Sequence, residues 1–132
     1  MNSINNKIKI RPLGILYELL GTQLNGLTGH IENAGFPFDR IWWGNNAEQE
    51  ENENPQWWVY EQTAYWLDGF TRCAILLEDE CALRRAEKII YSVINTPAPD
   101  GYLGPQALKK TDGWNRWPHT VFFRACMALY EQ

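Results

Sequence analysis

The amino-acid sequence predicts an all-α fold of about four helices, built as one domain over residues 1–132. Apolar residues recur every three or four positions in four segments, and no segment shows the strict alternation of a β-strand. Pro12 and Pro118 stand where two of these segments begin, and proline suits the first turn of a helix. A chain of this length is sufficient for one hydrophobic core.

The first predicted helix follows Pro12, and the region of Gly26 and Gly29 ends it. It carries six leucines at helical spacing: Leu13, Leu16, Leu19, Leu20, Leu24 and Leu27. The second helix runs over about residues 56–77 and is apolar or aromatic on nearly every side. A helix of that kind is usually buried, so the second helix is predicted to be the central one.

The third predicted helix has Asp79 as a candidate N-cap and extends to about Ile94. Its apolar residues form one stripe, and its charged residues are expected to face solvent: Arg84, Arg85, Glu87 and Lys88. The fourth helix begins at Pro118 and continues through the apolar positions near the end of the chain.

One narrow polar stripe interrupts the apolar surface of the second helix. It consists of Trp58, Glu61, Tyr65, Asp68 and Arg72, at spacings of three, four, three and four, which place all five on one helix face. Burying carboxylates without partners is costly. The stripe therefore predicts a polar cavity beside this helix, of the kind that binds a sugar.

Loop lengths predict where that cavity opens. About 25 residues separate the first two helices and about 20 the last two, whereas only a few residues near Glu78 join the second and third. Long loops in compact domains are usually functional. If consecutive helices are antiparallel, both long loops lie at one end. The residues expected to gather there are Trp42, Trp43, Trp57, Trp58, Glu61, Tyr102, Trp114, Trp117 and His119.

Composition excludes several partner classes. The net charge is −4 and no Lys/Arg run is present, which argues against a nucleic-acid partner. No apolar run approaches the roughly 20 residues that span a bilayer, so no membrane partner is expected. The first nine residues lack the apolar core of a signal peptide, which predicts a cytoplasmic location.

The three cysteines, Cys73, Cys81 and Cys126, show no CxxC spacing and stand in helix-like apolar contexts. They are predicted to be small buried hydrophobic residues in a reducing compartment, without a disulfide framework. No metal site and no cofactor are predicted within this chain. The acidic segment 45–54 is read either as a solvated loop or as a lid over the site.

Several ordered segments resemble the N-terminal part of the β-L-arabinofuranosidase-type glycoside hydrolases. The resemblance begins near Arg11 and is carried by PLGIL at 12–16, QLNGLTGH at 23–30, YWLDG at 65–69, LLEDE at 76–80, DGYLGP at 100–105 and WP at 117–118. It implies an α/α toroid of paired helices, with this chain as its N-terminal portion. It also implies a substrate pocket at the end that carries the long loops, and β-linked L-arabinofuranosides as substrates.

The resemblance further implies that the catalytic residues lie beyond Gln132. Well-known members use a cysteine nucleophile held near zinc, with an acid/base glutamate, and nothing in this chain matches that motif. We therefore expect the chain to be a truncated toroid, inactive as an isolated fragment, with zinc conceivable only in a full-length domain. The alternative is a non-catalytic helical module that binds carbohydrate or a protein.

The residues predicted to contact a saccharide are Trp43, Trp58, Glu61, Tyr65, Asp68, Tyr102, Trp117 and His119. Glu61 and Asp68 are about 10.5 Å apart along a helix axis, too far for a typical pair of glycosidase carboxyl groups. Structural alternatives stay open. Asp68 could pair with Arg72, Glu61 could bond a loop backbone, and the tryptophans could pack in the core. His119 could tether a loop in a neutral state, and Tyr102 could shape its loop.

The apolar stripes of the first, third and fourth helices predict one further property. Four helices of a toroid leave apolar edges uncovered, and large exposed patches are unusual for monomers. Self-association, or association with the remainder of the toroid, is therefore expected.

Overall fold

The computed structural model describes residues 9–43, 57–104, 106–109 and 116–132. The described chain is all-α, as predicted, and contains no strand. Four longer helices are present: α1 (Ile15–Asn25), α2 (Trp57–Leu77), α3 (Glu80–Ile94) and α5 (Trp117–Glu131). A 3₁₀ turn (Ile31–Ala34) and a four-residue helix, α4 (Gln106–Lys109), lie within the long connections. None of the described helices is long and apolar enough to cross a membrane.

Helix α2 is the centre of the fold, as its sequence predicts. Eleven of its 21 residues are buried, and they cover most of its circumference. Val59, Tyr60, Ala64 and Leu67 are fully buried in the main hydrophobic core. The exposed face is broader than the narrow stripe that the sequence predicts, because Trp57, Gln62, Tyr65, Gly69 and Arg72 are all exposed.

Helix α1 ends where the glycines predict, but it is more exposed than its leucines suggest. The N–H of Gly26 bonds the carbonyls of Thr22 and Gln23 and so closes the last turn. None of the residues of α1 is buried, and Leu16 and Leu19 are both more than half exposed. The predicted leucine stripe thus exists, but only part of it is covered by the described residues.

A tight connection joins α2 to α3. Glu78 adopts a left-handed backbone conformation with φ of 53°, and Asp79 then caps α3 by accepting a hydrogen bond from the N–H of Ala82 at 2.9 Å. The predicted N-cap is confirmed. A cap of this kind stabilises a helix by about 1 kcal/mol, because it satisfies one of the otherwise unpaired amides of the first turn.

Arg85 departs from the predicted solvent face of α3. Its guanidinium lies over the rings of Trp66 and Phe70, at 5.6 and 5.4 Å from their centroids. It also pairs with Glu32 at 2.9 Å and donates to the carbonyl of Gly29. The aliphatic stem covers apolar surface while the charged group reaches the loop after α1, which a periodicity argument cannot anticipate.

The cysteines were only partly predicted. Cys73 is buried and Cys126 is half-buried, whereas Cys81 is exposed in the first turn of α3. Burial raises the pKa of Cys73, and raises that of Cys126 to about 11, so both thiols stay protonated at neutral pH.

Side-chain contacts establish the directions of the helices. Cys73 contacts the carbonyl of Leu20, and the indole of Trp66 donates to the carbonyl of Thr28 at 2.8 Å, so α1 runs antiparallel to α2. The short α2–α3 connection makes α3 antiparallel to α2 as well. Helix α5 is parallel to α2, because Trp117 meets Tyr65 and Arg124 meets Arg72 further along both helices.

These directions place both long connections at one end of the helices, as predicted. The C-termini of α1 and α3 and the N-termini of α2 and α5 all lie at that end. A cis peptide bond between Phe36 and Pro37 lies in the first connection. The acidic segment 45–54 and Trp114 fall outside the described residues.

Candidate functional site

The parallel helices α2 and α5 form a shared surface, and a pair of aromatic side chains marks its first level. The indole Nε1 of Trp117, in the first turn of α5, donates a hydrogen bond to the Tyr65 hydroxyl at 2.9 Å. Trp117 is 50% exposed and Tyr65 39% exposed. The rings are therefore held in position and are still accessible to a ligand. We call this pair the aromatic level.

Glu61 lies one turn before Tyr65 on the same face of α2. Its side chain is half-buried, and it makes no hydrogen bond or ion pair with any residue that the structure describes, so the loop-backbone bond considered from the sequence is not seen there. Trp57, one turn earlier still, is 44% exposed. An accessible carboxylate between aromatic rings can accept hydroxyl hydrogen bonds while the rings cover apolar sugar faces.

Asp68 marks the next level, and its carboxylate is already occupied. Its Oδ1 accepts from Arg72 Nε at 2.8 Å, and its Oδ2 pairs with Arg124 Nη2 at 2.9 Å. Asp68 is only 5% exposed. The structural alternative considered from the sequence, an ion pair with Arg72, is therefore present. The carboxylate holds two arginines instead of pointing into open space, and we call Arg72 and Arg124 the arginine level.

Trp43 is in the core beside α5. It is 4% exposed, and its ring stacks on Phe122 with centroids 4.5 Å apart and an interplanar angle of 13°. Its Nε1 donates to the carbonyl of Tyr60 at 3.0 Å. Its apolar ring and its single N–H donor thus both have partners inside the protein. Trp43 is therefore a core residue and not an accessible sugar contact, as one of the alternatives from the sequence has it.

His119 tethers the second long connection to α5. Its Nε2–H donates to the carbonyl of Leu103 at 2.7 Å, which leaves Nδ1 as the unprotonated nitrogen. Nδ1 is buried and has no hydrogen-bond partner among the described residues. Burial lowers the pKa of His119, the bond to Leu103 opposes that effect, and the charge of Arg116 lowers it further. The imidazole is therefore neutral at pH 7. Its observed role is to hold the loop at Leu103 against α5.

Tyr102 packs edge-on against His119, with ring centroids 5.4 Å apart. Burial raises the pKa of its hydroxyl, which is buried and has no hydrogen-bond partner among the described residues. Its backbone is held by the predicted turn. The N–H bonds Asp100 Oδ1 at 3.1 Å, and Gly101 has φ of 80°. Tyr102 therefore belongs to the structured loop, as the alternative interpretation has it.

Trp58 lies between the core and the surface. It is half-buried, and the ring of Phe36 meets it edge-on with centroids 5.6 Å apart. The residues predicted from the sequence to contact a saccharide thus fall into two groups at one end of the fold. Trp43 and Tyr102 both pack against His119, whereas Glu61, Tyr65 and Trp117 are accessible.

The chain has no match among protein-family models, curated proteins or solved structures.

No group of three or more His, Cys, Asp or Glu side chains within 9–43, 57–104, 106–109 and 116–132 is arranged to hold a metal ion. The chemistry that the site offers instead is aromatic stacking, one accessible carboxylate and two guanidinium groups.

Arg124 is the site residue that sequence reasoning missed. It lies seven positions after Trp117, and the same interval separates Tyr65 from Arg72. Seven residues are close to two helical turns, so each pair shares a helix face. The repeated spacing of an aromatic residue and an arginine was a signal in the sequence, but it has meaning only once α2 and α5 are known to be parallel neighbours.

Proposed function

We propose that the chain is the N-terminal part of a toroidal glycoside hydrolase and that the α2–α5 surface contacts its saccharide. The single observation that carries the proposal is the aromatic level, where Trp117 and Tyr65 are joined at 2.9 Å and exposed beside the carboxylate of Glu61. The leading substrate is a terminal β-linked L-arabinofuranose, which rests on the resemblance of the ordered segments.

Helix directions support the toroid. Helices α2 and α5 are parallel neighbours, and α1 and α3 run the opposite way along α2. A ring of helix pairs needs this alternation, since every inner helix then has the same direction and the connecting loops alternate between two ends. In such a ring the exposed flanks of the described helices would contact further helix pairs.

The polypeptide by itself is proposed to bind sugar without cleaving it. Glycosidases need two carboxyl groups about 5–9.5 Å apart on either side of the scissile bond. Asp68 is enclosed by Arg72 and Arg124, and it lies about 10.5 Å along the helix from Glu61. Among the described residues, Glu61 is left without a second carboxylate at a suitable separation.

A titration of the purified chain with arabinofuranose oligosaccharides tests the binding proposal. Tryptophan fluorescence should change saturably, because Trp117 and Trp57 are exposed. Trp117→Ala should abolish most of the change and weaken binding roughly tenfold, as expected for loss of an aromatic contact of about 1–2 kcal/mol. Tyr91→Ala, which removes a 53% exposed ring from α3, is the matched control and should bind like wild type.

Two outcomes would contradict parts of the proposal. No saturable response with any tested sugar would remove the carbohydrate-binding role. Turnover of an aryl β-L-arabinofuranoside by this polypeptide would show that the residues of this chain are sufficient for catalysis.

A second candidate function is a non-catalytic module that binds carbohydrate. The occupation of Asp68 by two arginines favours it, because a buried carboxylate in two ion pairs is poorly placed to transfer a proton. The two candidates differ when the chain is mixed with a polypeptide that carries the remaining helix pairs of a family member. Restored hydrolysis would support the hydrolase, and unchanged binding without hydrolysis would support the module.

A further inference from the structure

The α2–α5 surface carries two functional levels at the same interval on both helices. Tyr65 and Trp117 form the aromatic level, and Arg72 and Arg124 form the arginine level seven residues later on each helix. Because the helices are parallel, the two levels are about 10.5 Å apart along the shared surface. A ligand that extends along the surface from one level meets the other.

Asp68 fixes the geometry of the arginine level. It engages Arg72 through Nε and Arg124 through Nη2, and Arg72 Nη2 also reaches the backbone carbonyl of Arg124 at 3.4 Å. Arginine loses little further freedom on binding when its planar group is already held. The two guanidiniums are thus oriented before any ligand arrives.

The arginine level keeps donor capacity and a net positive charge. Each guanidinium has five N–H groups, and the contacts to Asp68 and Arg124 use only part of them. The side chain of Arg72 is 47% exposed and that of Arg124 is 55% exposed. Two positive charges share one carboxylate, so one positive charge is not compensated within this cluster.

The surroundings leave room for a ligand at this level. Arg72 borders an open cavity of about 820 Å³ where α2 and α5 end, opposite to the long connections where the sequence predicted a cavity. Charged side chains of both signs also line it: Lys9, Arg11, Glu78, Glu80 and Glu131. Glu61, the accessible carboxylate of the surface, is eleven residues from Arg72 and therefore about 16 Å away along α2. An anionic group on the ligand is attracted to the arginine level and repelled by Glu61. This difference sets the orientation of the bound saccharide.

We propose that this surface recognises an acidic saccharide, with the carboxylate of a uronic acid on Arg72 and Arg124 and a sugar ring further along the same oligosaccharide on Trp117 and Tyr65. The inference rests on the proposed carbohydrate-binding function and adds the class of sugar. Guanidinium and carboxylate groups match in shape and charge and form paired hydrogen bonds. A neutral saccharide would leave the donors of the arginine level to water.

The test compares a short oligogalacturonate with its methyl-esterified form, in which each negative carboxylate is replaced by a neutral methyl ester. Each is titrated against the full chain by calorimetry. The acidic ligand should bind roughly tenfold more tightly than the ester at low salt, as one charge-assisted contact predicts. Raising the salt to about 0.5 M should remove most of that difference, because exposed charges are screened. Sodium acetate alone should not compete at millimolar concentration, since it lacks the ring that contacts the aromatic level.

Substitutions of Arg124 test whether the arginine level causes the preference for the acidic ligand. Arg124→Gln should bind the acidic ligand and its ester equally, while Arg124→Lys should keep about half of the preference in free-energy terms because it retains charge without the planar fork. Arg84→Gln is the matched control. It removes the same charge from an exposed arginine on α3 that pairs with Glu80, and should leave the preference unchanged. Circular dichroism of each variant checks that the fold is retained.

The outcomes separate the two proposals. Equal affinity for the acid and the ester in the wild-type chain would overturn the uronate inference while supporting sugar binding. An undiminished preference in Arg124→Gln would overturn it as well. Binding of neither ligand would overturn the inference, and the separate titration with arabinofuranose oligosaccharides would then decide the proposed function. Competition by acetate would show a general anion site instead of a saccharide site.

Discussion

The carboxylate of Asp68 and the guanidinium of Arg124 are joined at 2.9 Å and tie the middle of α2 to the middle of α5. Asp68 is buried, and its other oxygen is held by Arg72 one turn along its own helix. The network links the two helices that carry the candidate binding surface. Its removal should therefore affect both the stability of the fold and the alignment of the site.

Asp68→Ala should lower the free energy of unfolding by about 1–3 kcal/mol, because two charge-assisted hydrogen bonds are lost and both arginines lose their common partner. Glu80→Ala is the control. It removes a pair with Arg84 whose side chains are 84% and 67% exposed, and exposed pairs contribute about 0.5 kcal/mol or less. Urea denaturation measures the free energy of unfolding of both variants and of the wild-type chain. Equal losses would mean that the Asp68 network does not stabilise the fold.

Gly104→Ala should destabilise the chain by about 2–4 kcal/mol, since strained backbone and overpacking both contribute. Gly104 has φ of 124°, and an added Cβ would lie 2.8 Å from His119 Nε2 and 3.0 Å from Trp43 Cζ3. It would also disturb the tether between His119 and Leu103.

Gly69→Ala provides the matched comparison within α2. Nothing lies within 4 Å of an added Cβ there, and the residue is in a helix interior. It should stabilise the chain by about 0.5–1 kcal/mol, because alanine favours the helix over glycine. Thermal unfolding should thus move in opposite directions for the two variants, and a shift in the same direction would contradict the packing described around Gly104.

His119 should make the fold sensitive to mild acid. Its pKa is lowered in the folded protein, chiefly by burial, so the unfolded chain binds a proton more readily. The stability it contributes is present above the ordinary histidine pKa of about 6.5 and is lost as the pH falls through the lower, folded value. Urea midpoints measured between pH 8 and pH 5 should therefore fall more steeply for wild type than for His119→Gln.

That comparison isolates His119 from other groups. Glutamine retains an N–H donor for the Leu103 carbonyl but does not titrate, so the difference between the two pH profiles reports on His119 alone. Parallel pH profiles for the two proteins would show that His119 is not buried as a neutral imidazole.

The chain should self-associate through α1. Ile15 and Leu19 share one helix face and are 71% and 55% exposed, and Leu13 and Leu16 beside them are more than half exposed. Because these side chains are already partly covered, completing their burial contributes about 1–2 kcal/mol each. Four of them per partner are enough to offset an association cost of about 4–15 kcal/mol.

Sedimentation velocity over a range of concentrations measures this association. Ile15→Lys with Leu19→Lys should shift the chain toward the monomer at every concentration, because charges would enter the contact. Tyr130→Lys changes a residue that is 82% exposed near the end of α5 and should leave the distribution unchanged. A wild-type chain that remains monomeric at high concentration would contradict the prediction.

Much of the architecture was accessible from the sequence because it depends on local rules. Asp79 has the side chain that caps a helix, Pro118 suits the first turn of α5, and Gly26 ends α1. The lengths of the connections, combined with antiparallel packing of α1 and α3 on α2, were sufficient to place both long loops at one end. The ion pair between Asp68 and Arg72 was also predictable, since residues four apart on a helix are neighbours.

The roles of individual aromatic residues were decided only by the tertiary structure. Trp43 and Trp117 have the same side chain and the same predicted environment, yet one is 4% exposed and the other 50%. Burial depends on which residues from distant parts of the chain pack against each ring, such as Phe122 on Trp43. The pairing of Asp68 with Arg124 likewise required two helices that are 56 positions apart at these residues to lie parallel. Periodicity determines which face of a helix a residue occupies, but only packing between helices determines what that face meets.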